Sequence, residues 1–298
     1  MPSARDRFLA FRRALPRPAF LARQVVRARG LDFAVFTTPP VTGPPPLLCV
    51  NGGLLYDHTL LWPALSPLAG RRQLVLYDQR GRGASQAPPG ARAARIEHDA
   101  GDLPALREAL GLETWDLLGH SWGGGVAMLA AAQDAAVRRL VLVDAVGPTS
   151  WWLPTLHATA LARLPEAERA ALAALDPAAL HDPDPATHSA YARAFAPAWF
   201  AELELAPLFT PPPTEGATGA AVVARLRREG YDWRDRLRDI RAPTLVVRGE
   251  EDLLPAAVAD ELVALLPDAR LAVVPQAGHM PFWERPETFF PLVEAFLG

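Results

Sequence analysis

The stretch "LLGHSWGGGVAMLAAA", residues 117–132, decides the fold, because it joins an apolar strand pattern directly to a helix pattern of small residues. Its first half fits the pattern G-x-S-x-G, with Gly119, Ser121 and Gly123 at the fixed positions. Between a strand and a helix, this pattern predicts a sharp turn that lifts the serine hydroxyl above a sheet. The hydroxyl then lies at the N-terminal end of a helix, where developing negative charge is stabilised. Ser121 is therefore the predicted nucleophile.

Short apolar runs occur along the whole chain, and most are bounded by glycine, proline, aspartate or asparagine, as buried strands are. The eight runs cover residues 24–28, 32–38, 46–51, 73–78, 115–120, 140–145, 244–249 and 271–276. Helical patterns separate the later runs, and in residues 97–112 leucines recur every three to four positions up to a glycine. This alternation predicts an α/β fold in which a mostly parallel eight-stranded sheet is flanked by helices.

Residues 147–235 interrupt the alternation of strands and helices. They are rich in alanine, proline, tryptophan and histidine, and they contain helical patterns without a convincing strand. We expect a helical cap, inserted after the sixth strand, that covers the carboxyl ends of the sheet where ligands bind. The predicted segments are a packed helical extension (1–23), two parts of the core (24–146 and 236–298) and the cap.

A serine hydroxyl needs a base that takes its proton and an acid that orients the base. After a turn of this kind, the chain order is serine, then the acid, then histidine. Asp252 follows the seventh strand pattern and His279 follows the eighth, at the sheet edge where Ser121 emerges. We predict that His279 is the base and Asp252 the acid. Asp144, which ends the sixth strand pattern, is the alternative acid, and Glu251 is a weaker one.

Backbone amides are needed to hold the oxyanion that forms during acyl transfer. Trp122, which follows the predicted nucleophile, offers one of these amides. The second is predicted from the loop after the third strand pattern, where glycine allows a close approach to the substrate. Gly53 is the predicted donor, with Leu54 as the alternative.

Composition excludes several functional classes. The net charge of −3 gives no basis for binding nucleic acid. No lysine occurs, so lysine chemistry and the phosphate loop G-x-x-x-x-G-K-[ST] are excluded. The histidines and carboxylates lack the spacing of metal ligands. We therefore expect no cofactor, no metal and a small-molecule or short-peptide substrate.

Cysteine usage and hydropathy bear on the location of the protein. Cys49 is the single cysteine, so no disulfide can form within the chain, and a reducing compartment fits. No apolar run reaches the roughly 18 residues that a membrane span needs. The N-terminal segment does not have the pattern of a secretory signal. We expect a cytoplasmic protein without a membrane span, and the oligomeric state stays open.

Three motifs together resemble the α/β-hydrolase superfamily over nearly the whole chain after about residue 24. They are "YDQRGRGAS" (77–85), "GHSWGG" (119–124) and "GHMPFWERPETF" (278–289). The first two resemble prolyl aminopeptidases, also called proline iminopeptidases, in particular. The resemblance implies the α/β-hydrolase fold with a helical cap. One motif departs from this group, because the loop that usually reads H-G-G-P-G reads "NGGLL" here, at residues 51–55.

The resemblance also implies an activity, namely removal of N-terminal proline from small peptides or related amides. Such enzymes hold the free amino group of the substrate with acidic cap residues, and the possible counterparts here are Glu202, Glu204, Glu215 and Glu229. The alternatives are a carboxylesterase or lactonase, a carbon–carbon hydrolase acting on small apolar substrates, and a catalytically silent homologue that binds a small ligand. The predicted substrate contacts are Leu54, His120, Trp151, Glu204 and Glu215. His120 is not the predicted base, because neighbouring side chains in a sharp turn diverge.

Overall fold

One eight-stranded sheet runs through the protein, whose computed structural model describes residues 3–16, 20–214 and 216–298. The strands are β1 (Ala22–Ala28), β2 (Leu31–Thr37), β3 (Leu47–Val50), β4 (Leu74–Tyr77), β5 (Trp115–His120), β6 (Val137–Val143), β7 (Thr244–Gly249) and β8 (Ala269–Val274). Their order across the sheet is β1-β2-β4-β3-β5-β6-β7-β8. β2 runs antiparallel to both of its neighbours, β1 and β4, and the other five pairings are parallel. The prediction of a mostly parallel eight-stranded sheet is confirmed.

Helices pack on both faces of the sheet and form the cap. Within the described ranges they are α1 (Ala4–Ala14), α2 (Ile96–Ala109), α3 (Trp122–Ala131), α4 (Leu153–Arg163), α5 (Glu166–Ala173), α6 (Pro185–Phe195), α7 (Ala217–Glu229), α8 (Arg234–Leu237), α9 (Ala256–Leu265), α10 (Pro281–Glu284) and α11 (Pro286–Leu297). Helices α4 to α7 lie between β6 and β7, where the sequence predicts the cap. None of these helices is long and apolar enough to cross a membrane.

The central strands are buried on both faces, which explains their almost uninterrupted apolar sequences. Successive side chains of a strand point to opposite faces, so one strand contributes to two cores. In β3, Leu48 and Val50 belong to the core on one side of the sheet, whereas Leu47 and Cys49 belong to the core on the other. Burial raises the pKa of the Cys49 thiol to about 12, so this cysteine packs as a small apolar side chain.

The N-terminal helix α1 packs on the body of the protein through aromatic side chains. Phe8 is buried, and its ring stacks on Trp283 of α10 with a centroid distance of 5.2 Å. Phe11 contacts the same indole edge-on at 5.7 Å. An aromatic cluster of this kind holds a surface helix against a core.

Two buried side chains, Arg82 and Gln79, connect the "YDQRGRGAS" motif to the loop at residues 51–55. Arg82 makes two hydrogen bonds to the Asp99 carboxylate, at 2.8 and 3.1 Å, and its Nε donates to the Leu54 carbonyl at 2.8 Å. The Gln79 side-chain amide donates to the Asn51 carbonyl at 2.9 Å. The motif therefore fixes both ends of the loop through hydrogen bonds that water cannot replace in a buried site.

We expect Arg82→Met to lower the free energy of unfolding by about 3–5 kcal/mol, because Asp99 is then left in the interior without its partner. Urea unfolding followed by circular dichroism measures this loss. The control is Arg27→Met, which removes the exposed ion pair with Asp32 and costs less than about 1 kcal/mol. Equal losses in the two variants would contradict the structural role of Arg82.

Candidate active site

The turn between β5 and α3 holds Ser121 in a conformation that non-glycine residues rarely adopt. Ser121 has φ 53° and ψ −122°. A Cβ at Gly119 would lie 2.5 Å from the Gly123 carbonyl oxygen, and a Cβ at Gly123 would lie 2.1 Å from that of Val50. Side chains at these positions would collide with backbone, so the strained turn forms only with glycine on both sides.

Backbone hydrogen bonds stabilise this turn against the neighbouring strand. The Ser121 N–H donates to the Val143 carbonyl at the end of β6 at 2.9 Å. The Ser121 carbonyl accepts hydrogen bonds from the N–H groups of Gly124 and Val146. These bonds keep the serine at the carboxyl edge of the sheet, with its side chain on a cavity beneath the cap.

His279 and Asp252 form a hydrogen-bonded pair at the same edge. His279 Nδ1 donates to Asp252 Oδ1 at 2.7 Å, and both side chains are almost fully buried. The backbone of His279 is held as well, because its N–H donates to the Trp199 carbonyl at 2.6 Å. Its carbonyl accepts from His120 Nε2 at 2.8 Å. A ring fixed through Nδ1 directs Nε2 toward the cavity, which His279 lines together with Ser121.

Glu284 ties the His279 loop to the cap. Its two carboxylate oxygens accept hydrogen bonds from the N–H groups of Gly278 at 2.9 Å and Ala201 at 2.8 Å. Burial raises the pKa of Glu284 to about 7, although these backbone donors favour the ionised form. The loop that carries the histidine and the cap segment that follows α6 are therefore joined through one side chain.

A second carboxyl group, that of Asp144, lies against the Asp252–His279 pair. Asp144 Oδ1 accepts from the Gly249 N–H at 2.7 Å, and ligand atoms of the three side chains lie within 4.8 Å of one another. Burial, followed by the negative charge of Asp252, raises the pKa of Asp144 well above its usual range. Burial also opposes ionisation of Asp252, but the His279 charge, the hydrogen bond from His279 and the adjacent Asp144 carboxyl keep the Asp252 pKa below its usual value. Of these two neighbouring carboxyl groups, Asp144 thus has the raised pKa and Asp252 the lowered one.

His120 remains neutral and lies between the cavity and the His279 loop. Burial, together with the nearby His279, lowers the pKa of His120 to about 3. Because Nε2 carries the proton that is donated to the His279 carbonyl, Nδ1 is unprotonated. The ring lies 5.0 Å from that of His279 and packs edge-on against Phe282.

The glycine loop after β3 lies directly against the serine turn. A Cβ at Gly52 would lie 2.7 Å from the Ser121 Cβ, so only glycine permits this approach. Gly53 has φ 76° and lines the cavity. Trp122 is the first residue of α3, and the first N–H groups of a helix have no acceptor within that helix. Gly53 and Trp122 thus bring two backbone segments to the cavity beside the serine.

The cavity beneath the cap has a volume of about 120 Å³ and opens to solvent, which suits a small molecule. Its walls are mainly apolar, and part of them comes from the cap. The residues of the core that line it are Gly53, Leu55, Tyr56, Leu60, His120, Ser121, Trp122, Leu253, Leu254 and His279. Those of the cap region are Trp152, Leu153, Leu156, Leu180, His188, Tyr191, Ala192, Phe195, Trp199, Val223 and Arg227.

The prediction that Trp151 contacts substrate needs correction. Trp151 is 43% exposed, and its indole Nε1 donates to Glu261 Oε2 at 2.9 Å on the surface. Its neighbour Trp152 is buried, lines the cavity and packs against Trp122. Adjacent residues in the turn before α4 point in different directions, and the sequence does not say which of two tryptophans points inward.

Of the other predicted substrate contacts in the described ranges, one lines the cavity and two do not. His120 lines the cavity, whereas the prediction for Glu204 needs correction, because Glu204 is exposed outside it. Leu54 is fully buried with φ 56° and is not among the lining residues, so its prediction as a substrate contact is corrected too. It packs in the core, and its carbonyl accepts from Arg82. Glu215 lies outside the described residues.

Several cavity residues were not predicted from the sequence, in particular Tyr56, Tyr191 and Arg227. The sequence does contain one indication of these residues, namely helical spacing. Val223 and Arg227 are four positions apart and therefore share a face of α7. Tyr191 and Phe195 are likewise separated by one turn on α6. Spacing shows that such residues share a helix face, but it does not show which face covers the cavity.

Two groups of side chains in the described ranges offer three potential metal ligands each. One is the Asp144, Asp252 and His279 group, and the other consists of Asp57, His58 and Asp78. Each contains an internal hydrogen bond, since His279 donates to Asp252 and His58 Nδ1 donates to Asp78 at 2.8 Å. The expectation that no metal is required stays a prediction.

A family profile described as "alpha/beta hydrolase fold" matches residues 45–286. The chain belongs to this family. Among curated proteins, this α/β-hydrolase is 29% identical over 272 residues to a proline iminopeptidase of Lactobacillus delbrueckii subsp. bulgaricus, covering 85% of this chain and 89% of the relative. It is 31% identical over 244 residues to a 2-hydroxymuconate semialdehyde hydrolase of Pseudomonas putida, covering 76% of this chain and 77% of that relative.

Among solved structures, the α/β-hydrolase is similar to a proline iminopeptidase of Mycobacterium smegmatis. The TM-score is 0.66 at 26% identity, and the match covers 93% of this chain and 97% of the other. These similarities confirm the predicted resemblance to prolyl aminopeptidases and the prediction of a hydrolase enzyme.

We expect Asp252→Asn to lower kcat for 4-nitrophenyl acetate by about 10³–10⁴-fold, because the amide cannot stabilise a positively charged His279. Asp144→Asn should stay within about ten-fold of wild type, since His279 bonds to Asp252 rather than Asp144, and the amide oxygen of asparagine can accept from the Gly249 N–H as the carboxylate does. Initial rates of the two purified variants test this contrast, with circular dichroism as the control for folding. A severe loss in Asp144→Asn beside a mild one in Asp252→Asn would transfer the acid role to Asp144.

Proposed function

We propose that this α/β-hydrolase is a serine hydrolase that cleaves small acyl compounds through an acyl-enzyme on Ser121. The observation that carries the proposal is the 2.7 Å hydrogen bond from His279 Nδ1 to Asp252, beside a cavity that Ser121 and His279 both line. A strained serine turn at a helix start, a histidine and a buried carboxylate form the combination that nucleophilic acyl transfer requires.

The proposed reaction has two halves. His279 Nε2 takes the proton of the Ser121 hydroxyl while Oγ attacks the acyl carbon, and Asp252 stabilises the charged imidazole. The N–H groups of Gly53 and Trp122 hold the negative oxygen of the tetrahedral intermediate. The leaving group departs with the proton from His279. Water then attacks the acyl-enzyme with His279 again as base, and the acid product leaves as Ser121 recovers its proton.

For the substrate, the cavity favours acyl compounds without a free amino group, such as esters, lactones or ketones that are cleaved at a carbon–carbon bond. An ammonium group inside an apolar cavity needs a carboxylate partner. Among the described residues that line the cavity, there is neither aspartate nor glutamate. The similarity to a 2-hydroxymuconate semialdehyde hydrolase supports the same substrate class.

Prolyl aminopeptidase activity is the second candidate, and its support comes from the proline iminopeptidases of Lactobacillus and Mycobacterium. The acidic cap residues considered above that lie in the described ranges do not line the cavity, and two of them pair with arginines. Glu202 pairs with Arg285 at 2.6 Å, and Glu229 lies 3.4 Å from both Arg225 and Arg228. An aminopeptidase would therefore need an acidic group that the described cavity lining does not supply.

A fluorophosphonate probe tests the nucleophile. We expect the wild-type protein to be labelled and Ser121→Ala to remain unlabelled, because the probe reacts with an activated serine hydroxyl. His279→Ala should label far more slowly, since the base is then missing. Gel fluorescence and intact mass measure the label. A wild-type protein without label would indicate the silent ligand-binding homologue, and labelling of Ser121→Ala would exclude Ser121 as the nucleophile.

A substrate panel separates the two candidates. We expect hydrolysis of 4-nitrophenyl butyrate and no preference for proline 4-nitroanilide over its N-acetylated form, because the cavity offers no partner for a free amine. The ratio of kcat/KM for the two anilides removes the difference in reactivity between esters and amides. Selective cleavage of the anilide with the free amine would establish the aminopeptidase instead.

A further inference from the structure

The cap places one guanidinium group on the wall of the active-site cavity. Arg227 lies in the last turn of α7 and lines the cavity together with Val223 of the same helix face. Ser121 and His279 line this cavity as well. A substrate that fills the cavity from the serine to the cap therefore contacts Arg227.

Arg227 differs from its neighbours in having no carboxylate partner among the described residues. Arg225 and Arg228 of the same helix each lie 3.4 Å from Glu229. The guanidinium carbon of Arg227 instead lies 5.7 Å from the centre of the Tyr191 ring. Burial lowers the pKa of Arg227, as expected for a cation that has left water without gaining an anion.

The groups around Arg227 do not supply a negative charge. The Tyr191 hydroxyl is hydrogen-bonded to His157 Nδ1 at 2.8 Å, and partial burial raises the Tyr191 pKa, which keeps the phenol neutral. His188 is buried, donates through Nε2 to the Asp182 carbonyl, and has a lowered pKa because of its burial. The polar groups of the cap wall are thus one cation and several neutral groups that accept or donate hydrogen bonds.

We propose that Arg227 binds a carboxylate of the substrate, so that the hydrolase acts on acyl compounds that carry a second, ionised carboxyl group. A guanidinium in a cavity of low polarity pairs strongly with a carboxylate, because its planar fork matches both oxygens and little water competes. The inference rests on the proposed function in one respect, which is that Ser121 attacks the acyl group of the same substrate. Arg227 itself determines specificity and takes no part in the proton transfers.

The test compares two esters that differ in one terminal group, the 4-nitrophenyl monoester of glutaric acid and 4-nitrophenyl valerate. We expect wild type to prefer the glutarate ester in kcat/KM. Arg227→Gln should reduce kcat/KM for this ester by about 10- to 100-fold, the range of a hydrogen bond to a charged group, and leave the valerate ester nearly unchanged. Arg228→Gln is the matched control on the exposed side of the same helix and should leave both values unchanged.

Equal losses for both esters in Arg227→Gln would overturn the proposal, since they indicate a structural role for the residue. Equal kcat/KM of wild type for the two esters would overturn it as well.

A binding measurement keeps this inference separate from the proposed function. Glutarate should raise the thermal unfolding midpoint of wild type and Ser121→Ala, but not that of Arg227→Gln. If neither ester is hydrolysed while this pattern holds, the catalytic proposal fails and the carboxylate site stands. If glutarate has no effect on the wild-type midpoint, or inorganic phosphate has a larger one, the carboxylate assignment is overturned.

Discussion

The site depends on a steric constraint, which is the close approach of the serine turn to the loop after β3. Gly123 packs on the Val50 carbonyl so tightly that a Cβ would lie 2.1 Å from its oxygen, and Gly52 packs in the same way on Ser121. Because both segments follow adjacent parallel strands, this contact places the serine turn and the glycine loop side by side at the wall of the cavity. The buried side chains of Arg82 and Gln79 then hold the loop in place by donating hydrogen bonds to the carbonyls of Leu54 and Asn51.

The sheet and the three proposed catalytic side chains could be predicted from the sequence because each depends on a local signal. Ser121, Asp252 and His279 directly follow strand patterns, and the carboxyl ends of parallel strands meet at one edge. The cap could not be predicted to the same depth. Its helices carry apolar residues on more than one face, so the sequence did not distinguish Trp151 from Trp152. It also gave no reason to select Arg227 from the arginines of α7.

Electrostatics divide the site into two parts with different chemistry. Around His279, the two buried carboxyl groups differ, because the pKa of Asp252 is lowered and that of Asp144 is raised. At the cap wall the charge is positive and belongs to Arg227. The proline iminopeptidase of Mycobacterium smegmatis shares the fold, whereas the walls of the cavity select the substrate. Similarity over most of the chain therefore says less about the substrate than these few side chains do.

The hydrogen bonds between the His279 loop and the cap link the position of the proposed base to that of the cap. The His279 N–H donates to the carbonyl of Trp199, a cap residue, and Glu284 joins Gly278 to Ala201 in the same region. The cap segment at Trp199–Ala201 and the loop that carries the proposed base are thus joined by three hydrogen bonds. A displacement of the Trp199–Ala201 segment would break the hydrogen bond to the His279 N–H and so move the proposed base. A change in the cap that leaves the Trp199–Ala201 segment in place keeps these hydrogen bonds to the His279 loop.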